Sequence, residues 1–154
     1  MSVKLYTLPS NRSCRKAVEF FIEKNVDFVE QKMTQEPLSR DQLFEMLMYT
    51  ENGVEDILST RSKDYERLSK EGIDFEDLSL TEFHNLIVEY PRMLRSPIIV
   101  AKNTTLIGYN EDEISIFDDR SVKKETYLKM LDTIRLKEDR EIRKLKRTNH
   151  VVAG

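Results

Sequence analysis

The chain has 154 residues, 39% of them apolar and 34% charged, with a net charge of −3, enough to bury the core of one domain and too apolar to be disordered as a whole. One cysteine excludes an intramolecular disulfide, and two histidines, His84 and His150, leave no metal-site spacing. No apolar run is long enough for a membrane span, and Met1-Ser2-Val3-Lys4 leads straight into a strand-like run, so neither span nor signal peptide is expected and the expected compartment is the cytoplasm.

In chain order, Lys4–Leu8 reads as a strand, Pro9-Ser10-Asn11 as a turn, and Ser13–Lys24 as a helix ending before Asn25. Val26–Val29 reads as a second strand, parallel to the first across the helix. Ser39 is a good N-cap for a helix over Arg40–Tyr49, with Leu43, Phe44 and Leu47 on its apolar face, and Gly53 breaks the pattern before a short turn of helix, Val54–Leu58. Ser59-Thr60-Arg61 opens a helical piece to about Lys70. Ser79 or Thr81 caps a helix with Leu80, Phe83, Leu86 and Ile87, ending before Pro91. Residues 36–92 thus read as an all-helical insertion. Ile98-Ile99-Val100 and Thr105-Leu106-Ile107 form a hairpin across Lys102-Asn103-Thr104, and Asn110–Phe117 is a short amphipathic helix. Val122 to about Lys146 is one long helix, with Tyr127, Leu131 and Ile134 on one face, and 148–154 is a frayed end. No internal repeat or low-complexity segment is present.

Charge is unevenly placed. Residues 120–147 hold eleven Lys/Arg against five Asp/Glu, a balance of +6, whereas residues 1–119 carry −9. Such a basic tail on an acidic body suits contact with nucleic acid or another acidic surface, or a solvated helix of mixed charge, the commoner case. The chain lacks a helix-turn-helix, an aromatic-basic platform and a zinc module, so DNA is expected to be touched only indirectly, through Arg143, Lys144, Lys146 and Arg147 together with a partner.

The stretch Lys4–Lys16, KLYTLPSNRSCRK, places Cys14 near a helix start with Arg12, Arg15 and Lys16 around it. Two readings stand side by side: a thiolate stabilised by the helix N-terminus and cations, or a small half-buried core residue.

The strand–P-S-x-x-S-C-R-K-A–helix opening resembles the ArsC/Spx family, and within it the Spx/MgsR branch of bacterial transcription regulators that bind RNA polymerase. Glu36–Gly53 (EPLSRDQLFEMLMYTENG), Leu58–Lys63 (LSTRSK), Leu94–Val100 (LRSPIIV) and Gly108–Ile114 (GYNEDEI) extend the resemblance over roughly residues 1–120. It implies an α/β, thioredoxin-like fold: a small four-stranded mixed sheet with the helical insertion, over residues 1–120. A basic C-terminal helix and tail follow over 121–154, about which the resemblance says nothing.

For function, the resemblance implies a cytoplasmic regulator that binds the C-terminal domain of the RNA polymerase α subunit and alters promoter choice in a stress response, without a cofactor or catalysis. The family's glycine in the T-E-x-G turn meets that domain. Here it is Gly53, with Tyr6, Met48, Tyr49, Glu51 and Asn52 as expected neighbours. In the arsenate-reductase branch the nucleophilic cysteine follows the Pro-x pair, where this chain has Asn11, and an arginine precedes the strand proline, where it has Ser96, with Arg95 one place earlier. An amide cannot act as that nucleophile. The competing expectation is an arsenate or thiol reductase using Cys14. Cys14 matches the second cysteine of the redox-sensing C-x-x-C, which here reads Asn11-Arg12-Ser13-Cys14, so no disulfide switch forms and Cys14 remains a redox candidate only through other modification. The resemblance makes Pro97 a structural cis-proline. Arg61 either holds an anion near the first loop or pairs with Asp64 or Glu66. Family members are degraded by an ATP-dependent protease, for which Val151–Gly154 offers an accessible apolar end.

Overall fold

The computed structural model describes residues 3–101, 103–118 and 131–145. Two compact units result, Met1–Ile114 and Ser115–Gly154. The expected boundary at 120–121, Tyr127 and the ends of the long helix lie outside the described residues. In the second unit, residues 131–145 are helical, with most side chains exposed.

The first unit is built on a four-stranded sheet of order β2-β1-β3-β4. Strand β1 (Val3–Thr7) pairs in parallel with β2 (Phe28–Lys32) and antiparallel with β3 (Ile98–Ala101), which pairs antiparallel with β4 (Thr104–Ile107). The crossover from β1 to β2 runs through α1 (Arg12–Glu23).

Two of the boundaries that differ from expectation do so for a visible reason. Helix α1 starts one residue earlier because Asn11 itself is the N-cap. Strand β2 starts two residues later because Asn25 (φ +55) and Val26 are used to finish α1. Their N–H groups donate to the carbonyls of Ile22 and Phe21 at 3.2 and 2.9 Å, a Schellman termination with Asn25 in the left-handed region. As an edge strand, β2 carries polar residues outward, and Val29 is exposed.

Between β2 and β3 lies the helical insertion: α2 (Arg40–Met48), α3 (Val54–Ile57), α4 (Lys63–Lys70) and α5 (Leu80–Glu89), with 3-10 turns at Phe75–Asp77 and Pro91–Met93. Ser39 caps α2 and Ser79 caps α5, each in a reciprocal capping box with Gln42 and Glu82. The cap of α4 is Ser62, so Arg61 sits in the preceding turn and not in the helix. On α2 the buried residues are Leu43 and Met46, with Leu47 partly buried, whereas Phe44 is 55% exposed. The apolar stripe runs i, i+3, i+4 from Leu43, which turns Phe44 outward.

One core joins the sheet to the insertion: Tyr6, Ile98 and Val100 pack with Leu43, Met46, Ile57, Leu68, Phe75, Phe83, Ile87 and Met93. Val3, Leu5 and Ile99 alternate to the other face, the face of α1, which buries Cys14, Ala17 and Phe21. Gln31, 8% exposed, ties β2 to α2. Its amide donates to the carbonyls of Glu36 and Pro37 and to Gln42 Oε1, and Gln42 Nε2 donates back at 2.7 Å. Helix α6 (Glu111–Ile114) follows the hairpin. No described helix is long and apolar enough to cross a membrane.

Candidate functional site

The first loop is pinned by Asn11. Its Oδ1 accepts the Cys14 N–H at 2.9 Å, and its Nδ2 donates to Ser96 Oγ at 2.9 Å, 85 residues away in sequence. The Ser96–Pro97 peptide bond beside it is cis. Asn11 is thus a cap and a tether, and both ends of its amide are used. Asn11→Ala removes both bonds and is expected to lower stability by about 1–2 kcal/mol, read as a fall in urea midpoint at unchanged slope.

Cys14 is 5% exposed. Burial, first, and the Glu30 carboxylate, last, push its thiol up, partly offset by hydrogen bonds with the Leu8 backbone and Ser96. Arg12, Arg15 and Lys16 are exposed, and the Lys16 ammonium lies over the Tyr109 ring at 5.7 Å. Burial thus favours the core-residue reading of Cys14 over the thiolate-stabilising one, since desolvation outweighs the hydrogen bonds at the helix start.

Beside the loop, a cleft of about 410 Å³ is lined by Arg61, Arg92 and Arg95 together with Asn11, Ser59 and Ser96. Its walls are zipped together by main chain: Ser59 N–H donates to Met93 O at 2.7 Å and Arg95 N–H to Ile57 O at 2.8 Å. Arg61 does not pair with Asp64, which is taken by Arg67 at 3.1 Å. Arg92 was missed from sequence because the 3-10 turn that carries it is too short to show a period. Three guanidinium groups here suit an oxyanion. Among the described residues no cluster of His, Cys, Asp or Glu could hold a metal ion.

The second candidate surface is the turn after α2. Gly53 has φ +67 and ψ −132, a region open mainly to glycine, and a Cβ placed there would meet no atom within 4 Å. The turn faces open space. Asp56 holds it from behind, accepting the N–H groups of Glu51 and Asn52 at 3.1 and 2.9 Å. Met48 is 55% exposed, as is Phe44 one turn earlier, so two large apolar side chains flank the turn along α2. Glu51 and Asn52 are exposed and Tyr49 is half-buried, its hydroxyl donating to Asn103 Oδ1 at 3.0 Å. Tyr6 is corrected: it is 1% exposed in the core, because the insertion covers that face of β1. Phe44 and Asp56 are the residues that sequence reasoning did not place here.

Comparison with known proteins places these features. The ArsC family model matches residues 6–117, which include the first loop, the Gly53 turn and the arginine cleft. The chain belongs to the ArsC family. Among ArsC family relatives it is similar to the global transcriptional regulator Spx of Streptococcus pyogenes serotype M1, 46% identical over 123 residues, 80% of this chain and 90% of the relative. Similarity to Spx of Streptococcus mutans serotype c is also 46% over 123 residues, covering 80% of this chain and 88% of the relative. Among solved structures, an arsenate reductase from Vibrio cholerae matches with TM-score 0.59 at 18% identity, over 76% of this chain and 95% of that one. A possible arsenate reductase from Streptococcus mutans UA159 matches with TM-score 0.61 at 19% identity, over 73% and 97%. At such identity the likeness to reductases shows the shared thioredoxin-like ArsC fold alone. The relatives of high identity are named regulators of transcription.

Proposed function

We propose that this ArsC-family chain is a cytoplasmic transcription regulator that binds the C-terminal domain of the RNA polymerase α subunit through the Gly53 turn and redirects promoter choice under stress. The observation that carries the reading is the open, Cβ-free face of Gly53 in the turn between α2 and α3, in a chain 46% identical to an Spx regulator over 123 residues. Glycine there allows a partner backbone to come close, and Met48, Tyr49, Glu51 and Phe44 supply side chains around it. The chain catalyses no reaction: an amide stands at the reductase nucleophile's place, and Cys14 is buried with its thiol pushed up. Without a C-x-x-C, binding does not depend on a thiol switch. Control lies in abundance, through an ATP-dependent protease and its adaptor.

Calorimetric titration of the full chain against the isolated α C-terminal domain tests this. Saturable binding of equal affinity under reducing and oxidising conditions is expected, unchanged in Cys14→Ser. Absence of binding under both conditions overturns the reading. Arsenate turnover with glutathione and glutaredoxin is expected to be at background, and robust turnover abolished by Cys14→Ser would establish the reductase instead.

A further inference from the structure

We propose that Asp56 is the positioning residue of the Gly53 turn, whose main-chain donors it gathers inward so that a partner reads the turn's shape and side chains and not its backbone. The inference rests on the assignment of Gly53 to the interface with polymerase α. Asp56 Oδ2 accepts from Glu51 N–H at 3.1 Å and from Asn52 N–H at 2.9 Å, while Oδ1 accepts from Asn52 Nδ2 at 3.1 Å. Asp56 N–H donates in turn to the Gly53 carbonyl at 3.1 Å, and Thr50 donates from both N–H and hydroxyl to the Leu47 carbonyl at 3.2 and 2.7 Å. The main-chain donors of residues 50, 51 and 52 are therefore all committed inside the chain.

Two consequences follow for recognition. Asn52, although exposed, belongs to the clamp: one of its two amide N–H groups is held by Asp56, which fixes the direction in which the second N–H and the amide oxygen face a partner. The unusual backbone of Gly53 is also bounded on both sides by fixed residues. A four-residue helix has little stability of its own, but the neighbouring Ile57 is fully buried and anchors α3, which fixes where the Asp56 carboxylate stands. Hydrogen bonds to a carboxylate are stronger than neutral ones. The Asn52 main chain and side chain, then Glu51 and the charge of Arg95, hold this carboxyl below its ordinary range, so it is ionised when it clamps.

The test compares Asp56→Ala, Asp56→Asn and Gly53→Arg with the parent chain, by titration against the α C-terminal domain, thermal unfolding and amide shifts at residues 51–53. Asp56→Ala is expected to weaken binding about tenfold with displaced amide shifts at 51–53 and a fall in unfolding midpoint that leaves the chain fully folded at the titration temperature. Asp56→Asn is expected to restore most of the affinity, because its oxygen can accept both main-chain N–H groups while the Asn52 amide turns over to face its nitrogen. A merely structural role would move the midpoint and not this ordering. Parent-like binding by Asp56→Ala, with Gly53→Arg inert, overturns the clamp and leaves the Gly53 surface standing. Parent-like binding by both overturns that surface as well. Should Asp56→Ala not fold, hydrogen exchange in the parent chain decides: the amides of Glu51 and Asn52 are expected to be protected, and exchange at unprotected rates overturns the proposal.

Discussion

Arginine in place of Gly53 is expected to abolish measurable binding to the C-terminal domain of polymerase α, a loss of about a hundredfold or more, in a chain that remains folded. Both halves of that result come from the geometry of one residue. Within the chain, a Cβ at Gly53 meets no atom within 4 Å, so the new side chain finds space. Its cost to the free protein is backbone strain at φ +67 and ψ −132, about 1–3 kcal/mol, which a domain of ordinary stability survives. In the proposed complex the same open space would receive the partner backbone, and a long charged side chain there must either displace the partner or be desolvated. Titration beside near-ultraviolet circular dichroism separates the effects. Parent-like affinity in a natively folded variant would remove Gly53 from the interface.

The second large effect concerns Tyr6 and alkaline stability. Among the described residues its hydroxyl is buried without a hydrogen-bond partner, and burial, then the Glu45 carboxylate, push its pKa from 10.0 up to about 12. In the unfolded chain the phenol loses its proton near the ordinary value, while in the folded chain it holds on. Between those two values the unfolded state binds fewer protons, so stability falls as pH rises. Tyr6 contributes in full below about pH 10, and roughly 2–3 kcal/mol is lost by about pH 12. Tyr6→Phe removes both the unpartnered hydroxyl and this titration. It is expected to be more stable by about 1 kcal/mol at neutral pH, with the gap widening above pH 10. Urea midpoints of the two proteins from pH 7 to 12 measure it; parallel curves would show that the hydroxyl finds a partner in solution.

Tyr6 also shows where sequence reading stops. Along β1 both faces of the strand are covered, so Val3, Leu5, Tyr6 and Thr7 are all buried and alternation carries no information about which side chain reaches a surface. The sheet itself was legible because Ile98-Ile99-Val100 is too apolar for anything but a central strand, and Ser39 and Ser79 announced their helices. The start of β2 was not, since Val26 read as the first strand residue while its N–H, with that of Asn25, closes α1. On α2, a nine-residue helix, the apolar residues outnumber the buried positions, and Phe44 was assigned inward when it lies outward. The positive φ of Gly53 was legible from its turn motif. Asp56 was not, because a carboxylate four residues past a turn gives no sign of reaching back until the turn is folded. The arginine cleft depends on segments 57–59 and 93–95 lying side by side, a pairing no local pattern encodes.

The most direct test of the central claim is a titration of the nitrogen-15-labelled full chain with the unlabelled C-terminal domain of polymerase α, followed through its amide resonances. Saturable perturbations centred on residues 48–53 and extending to Phe44 are expected, with the loop around Asn11 and Cys14 little affected. Perturbations confined to the Cys14 loop and the Arg61–Arg92–Arg95 cleft, or none at saturating partner, would contradict that claim.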